Sequence, residues 1–80
     1  MVREILEATG GATASARYLL EVNEQEGHFC SSLFTLNDEG RVESGPVAPR
    51  FYGLTAQQAR RRMIDILENQ YDQVVTVSKE

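Results

Sequence analysis

The stretch Gly53-Leu54-Thr55-Ala56-Gln57-Gln58-Ala59-Arg60-Arg61-Arg62-Met63-Ile64-Asp65-Ile66-Leu67-Glu68 decides how this chain is read. Thr55 followed three residues later by Gln58 is a capping box: the hydroxyl accepts from an amide of the first turn, and the Gln side chain reaches back to satisfy another. Behind it, apolar residues recur at helical spacing. With Ala56 as zero and about 100° per residue, Ile66, Ala59, Met63, Leu67 and Ile64 fall in one arc from about 280° to about 80°. The spacing predicts a helix over 56–69, ended by Asn69-Gln70-Tyr71-Asp72.

The three adjacent arginines suggest a basic patch until they are placed on that helix. Arg60 falls at about 40°, Arg61 at about 140° and Arg62 at about 240°, so they fan around the axis. Asp65 shares the outer surface with Arg61 at i+4 and with Arg62 at i+3, spacings at which opposite charges meet. Arg60 differs because it lies inside the apolar arc. Its stem can pack on the core edge, and its planar fork can pair a strand carboxylate such as Glu21 or Glu43, or a carboxylate or phosphate of a partner.

Outward from the helix, the pattern changes from helical spacing to alternation. Tyr18, Leu20 and Val22 alternate with more polar neighbours and predict a strand over 16–23. The polar run 23–27 leads to a second strand over 28–36, making a hairpin. Cys30, Ser32, Phe34 and Leu36 share one parity, while Phe29 and Leu33 hold the other, so this strand is covered on both faces or bulged at Ser31-Ser32. Asn37-Asp38-Glu39-Gly40 is a turn, and 41–44 is expected as a short strand. Pro46 and Pro49 make the next stretch a loop, since proline has no amide to give a ladder. The β-branched run 73–78 predicts a last strand, and 3–8 a first one. The expected fold is α+β: an antiparallel sheet of three to five strands with one helix on one face, in the order β-β-β-β-α-β, within a single domain spanning 1–80.

The arrangement of strands, then Tyr52-Gly53-Leu54-Thr55 leading into a helix with Gln58-Ala59 in its first turn, then a final strand, resembles HicB-type antitoxin domains in layout. That resemblance implies a three-stranded sheet, a Gly-x-Thr start to the helix and Glu-Ala in its first turn. Here Gly53, Thr55 and Ala59 match in detail, Gln58 stands in place of Glu, and the apolar Pro-Gly-Cys approach of that family is missing.

Hydrophobic residues make up 41% of the chain, too many for a disordered segment. One cysteine, Cys30, leaves no internal disulfide framework. Neither a secretory signal pattern nor an apolar run of membrane-spanning length appears, so a cytoplasmic location without membrane contact is expected. His28 and Cys30, at i and i+2 of one strand, share a face. A nucleophile pair needs a third, orienting group and a structural zinc site needs about four ligands. The sequence supplies neither, so no enzyme, no metal and no cofactor is expected.

Net charge is −4, unevenly distributed. Residues 21–43 hold Glu21, Glu24, Glu26, Asp38, Glu39 and Glu43 against Arg41 alone. This acidic stretch and the absence of a broad basic footprint favour a small protein-binding module, an inhibitor, adaptor or accessory subunit. It would act through a sheet edge or through the acidic region with Glu24 and Glu26, on a protein partner of unstated identity. A homodimer is among the expected outcomes for a domain this small. The alternative is a nucleic-acid-associated module using Arg50 and Arg60, Arg61 and Arg62.

Overall fold

The computed structural model describes residues 2–11, 14–43 and 45–79. Five strands and one helix follow in the order β1 (Val2–Thr9), β2 (Ala16–Gln25), β3 (His28–Leu36), β4 (Phe51–Gly53), α1 (Ala56–Gln70) and β5 (Gln73–Lys79). The strands form one antiparallel sheet in the spatial order β4-β3-β2-β1-β5, and the helix lies on one of its faces. The expected class and element order therefore hold. The sheet has five strands where the antitoxin layout implies three.

One strand lies elsewhere than expected. The sequence predicts the fourth strand over 41–44. Instead Val42 makes a lone bridge with Leu36, Ser44 lies outside the described residues, and the fourth strand is Phe51–Gly53. The physical reason lies in the two prolines. The chain follows the outer edge of β3, bonding at Glu43 N to Thr35 O and at Val47 N to Leu33 O. It turns around Pro46 and Pro49, with Ala48 between them packed against the core, and regains a regular ladder where Ser31 faces Phe51. This edge of the sheet is thus covered by an interrupted, proline-bearing segment, a common guard against unwanted strand pairing.

The β2–β3 hairpin is tighter than a five-residue connection. Gln25 pairs with His28, leaving Glu26 and Gly27 as a two-residue turn with φ of 46° and 86°. Two successive positive φ values give the turn whose twist matches the flanking strands.

The core explains which face the helix covers. Leu6, Ala8, Leu20, Leu33, Met63, Ile64, Leu67 and Tyr71 form one buried cluster. Because side chains alternate along a strand, Glu4, Leu6 and Ala8 point under the helix, and Arg3, Ile5 and Glu7 point to the opposite face. On β3 the question of which face turns inward has a two-sided answer. Ser31 and Leu33 are buried on the helix side, while Cys30, Ser32 and Leu36 are buried on the other. Ser31 Oγ donates to Ala59 O at 2.8 Å, tying β3 to the helix.

Gly53 is required by close approach. A Cβ there would stand 2.8 Å from Ala59 N and 3.0 Å from the Gln58 side chain. The capping box forms beside it. Gln58 N donates to Thr55 Oγ1 at 3.0 Å, and Leu54 N donates to Gln58 Oε1 at 2.7 Å, one residue earlier than the usual partner. Tyr71 N closes the other end on Leu67 O.

Candidate functional site

Arg60 is fixed at the seam between helix and sheet, as its place in the apolar arc implied. Its partner is neither Glu21 nor Glu43. Arg60 Nε donates to Glu4 Oε2 at 2.6 Å and Nη2 donates to Glu4 Oε1 at 2.9 Å, a two-pronged pair. Thr76 Oγ1 of β5 donates to the same Glu4 Oε1 at 2.8 Å. Glu4 is 2% exposed, so this group joins helix, first strand and last strand beneath the surface. Glu21 cannot serve because it faces the opposite side of the sheet, where it binds Arg3 at 2.8 Å. Glu43 lies beyond β3, at the far edge. Parity could have found Glu4: it is two residues before Leu6 and four before Ala8, and so shares their face.

Burial pushes the Glu4 carboxyl up, but hydrogen bonds from Arg60 and Thr76, with the charges of Arg60 and Lys79, outweigh it and hold it below its ordinary value. The same pairing raises Arg60. Both groups stay ionised at neutral pH, and every buried side-chain polar atom among the described residues has a partner. The seam is a satisfied structural lock.

The other arginines are drawn into the helix surface or stand apart. Arg61 Nε donates to Asp65 Oδ1 at 2.8 Å, and its Nη2 also pairs with Glu68. Arg62 and Arg50 are exposed. No single basic face gathers all four. Glu24 and Glu26 are exposed at the tip of the β2–β3 hairpin, away from the seam.

His28 and Cys30 do not make a reactive pair. The His28 ring lies against Tyr52, centroids 5.3 Å apart, while the buried Cys30 Sγ–H points to Ser31 O at 3.9 Å. Among the described residues no cluster of three or more His, Cys, Asp or Glu could hold a metal. Inside the core, Tyr18 and Tyr71 share a hydroxyl–hydroxyl bond of 2.9 Å, and burial with that bond pushes Tyr18 up to about 12. No helix among the described residues is long and apolar enough to cross a membrane.

The fold leaves two surfaces open; the sequence points to a sheet edge without saying which, and holds no sign of the second surface. One is the outer edge of β5, a terminal strand whose neighbour in the sheet is β1. Val75 and Val77 on it are 39% and 49% exposed. The other is the sheet face opposite the helix. There the register sets Arg3 against Glu21, Ile5 against Leu19 and Glu7 against Arg17. Both charged rows are closed ion pairs, the second at 3.1 Å. A cleft of about 200 Å³ runs over this face, lined by Ile5, Leu19, Leu36, Val42 and Ser78 among others. It is smaller than the roughly 300–1,000 Å³ of sites that enclose drug-sized ligands. Compared with known proteins, the chain matches no family model, and neither a curated protein nor a solved structure is found to be similar to it.

Proposed function

We propose that this chain is a small acidic protein-binding module that receives an extended segment of a partner along the outer edge of β5. The observation that carries this reading is the contrast between the sheet's two edges. The edge beside β3 is covered by a segment broken by Pro46 and Pro49, whereas β5 runs through seven residues, Gln73–Lys79, without a proline. Main-chain groups on such an edge bind an incoming strand, and pockets for alternate side chains select it. The exposed acids of the β2–β3 tip, Glu24 and Glu26, favour a partner carrying basic residues and speed its approach.

Affinity capture from a native lysate tests this, with Val77→Lys as the edge variant and Glu24→Lys/Glu26→Lys as the acidic-tip variant. A protein held by the parent chain and lost in Val77→Lys supports the edge. Hydrogen exchange should then show β5 amides slowed by the captured partner. A partner lost only in the acidic-tip variant moves the site to the hairpin. Capture of nucleic acid that falls steeply with salt and fails without Arg50 and Arg62 replaces this reading with the alternative.

A further inference from the structure

We infer that the sheet face opposite the helix is a self-association surface on which a second copy of this chain packs face to face. The argument rests on the pattern of charge around an apolar centre. Ile5 and Leu19 sit side by side, half-buried, with Phe34 next to Leu19 on β3. On one side of that row stand Arg3 on β1 and Glu21 on β2, and on the other Glu7 on β1 and Arg17 on β2. The four charges alternate at the corners of a rectangle, positive diagonal to positive. A second copy can be laid on this face about a twofold axis lying between the two sheets. If the axis runs along the strands, Arg3 of one copy stands over Glu21 of the other, and Glu7 over Arg17. If it runs across the strands, Arg3 stands over Glu7, and Glu21 over Arg17. Both arrangements bring opposite charges together and place Ile5 and Leu19 at the centre. The crossing of about 30° between aligned sheets displaces these contacts without reversing their sign.

The four corner charges sum to zero although the chain carries −4, so self-association is not opposed by repulsion among them; Asp38 and Glu43 lie at the rim beside Glu7 and Arg17, and Lys79 beside Arg3. The four strands β5, β1, β2 and β3, seven to ten residues long, about 4.8 Å apart and rising about 3.3 Å per residue, sweep roughly 500 Å² per copy. Two copies thus meet over about 1,000 Å² in total, the size a specific interface has to clear. The cleft over Ile5 and Leu19 gives apolar side chains of the second copy a place to enter.

Sedimentation equilibrium of the full chain between about 1 µM and about 1 mM tests this. The mass should rise from 9.0 kDa towards twice that value, and more weakly in high salt. Leu19→Lys, with its far-UV circular dichroism unchanged, should weaken association by about 100-fold or more, since it buries an unpaired charge. Arg3→Glu alone should weaken it about tenfold, and mixing Arg3→Glu with Glu21→Arg or with Glu7→Arg should restore it in one of the two mixtures. The mixture that recovers identifies the axis. A parent chain still monomeric at about 1 mM, or a dimer indifferent to Leu19→Lys, overturns the inference. Should Leu19→Lys fail to fold, the two mixtures decide: recovery in neither overturns it. Loss of the dimer in Val77→Lys but not in Leu19→Lys would assign self-association to the β5 edge instead.

Discussion

Leu19 and Leu20 are neighbours in the chain and opposites in the structure. Leu20 is fully buried beneath the helix, in the same cluster as Met63 and Leu67. Leu19 points to the other face, half-buried between two ion pairs. The helix-side face holds large apolar residues and one locked charge group, Glu4 with Arg60 and Thr76. The open face holds a small apolar centre and four charges at its corners. The difference teaches that one helix fully covers only one side of this sheet: on the other, Cys30, Ser32 and Leu36 of β3 are buried, but Ile5 and Leu19 stay only half-buried. The first face makes the fold, and the second is the one proposed to receive a second copy.

Substitutions on the two faces should therefore behave differently, and the largest effect belongs to the helix side. Leu20→Ala removes a fully buried side chain and leaves a cavity, which costs about 2–5 kcal/mol. Leu19→Ala, at protein concentrations low enough to keep the chain monomeric, should cost less than about 1 kcal/mol. Urea denaturation of the two variants side by side checks this. Equal costs would break the contrast between the faces.

Next in size is Arg60→Ala, which strands a buried carboxylate. Removing one partner of a buried pair costs about 3–5 kcal/mol, and the partial exposure of Arg60, 30% of its side chain, puts the expected loss at the lower end. The pH dependence separates lost charge from lost packing. In the parent chain the Glu4 carboxyl is held below its ordinary value of 4.5. Its stabilising contribution is complete above that value and is lost as pH falls through the lowered folded value. In Arg60→Ala, burial without a partner pushes Glu4 up, so the variant gains relative to the parent on acidification. The stability gap should narrow between about pH 7 and about pH 3. A gap constant with pH would mean that Arg60 acts through its stem alone.

Gly53→Ala comes third. The new Cβ meets backbone at Ala59 N, which cannot move aside as a side chain can, so a loss of about 1–3 kcal/mol is expected. Thermal unfolding reads it, and a neutral result would show that the start of the helix shifts freely. The smallest effect belongs to Arg61→Ala. Its pairs with Asp65 and Glu68 lie on the exposed helix surface, and the unfolding midpoint should not move measurably in moderate salt.

The same contrast explains how much could be read beforehand. The helix was legible because its signals are local. Thr55 and Gln58 cap it within four residues, and Ala59, Met63 and Leu67 mark its face. The β2–β3 hairpin was legible through alternation, with Leu20 and Val22 as its inward residues. What escaped depended on which strands become neighbours. Glu4 became the partner of Arg60 because β5 returns to pair with β1, bringing Thr76 beside it. The stretch 41–44 has a strand-like composition, yet prolines follow it, and among its described residues only Val42 makes a bridge. Gly53 is needed because the start of the helix passes close by, at Ala59 N, a contact that only the fold reveals. The rectangle of charges on the open face pairs Arg3 with Glu21 and Glu7 with Arg17 through the β1–β2 register, a pairing that no local pattern encodes.

The division between a fold-making face and an association face is tested most directly by unfolding the parent chain, Leu19→Ala and Leu20→Ala at a series of protein concentrations. Coupling to a dimer makes stability depend on concentration. The midpoint of the parent chain should rise with concentration, that of Leu19→Ala should stay flat, and that of Leu20→Ala should rise in parallel with the parent from a lower start. A parent midpoint that does not change with concentration, or a Leu19→Ala midpoint that rises as steeply as the parent's, would contradict the account.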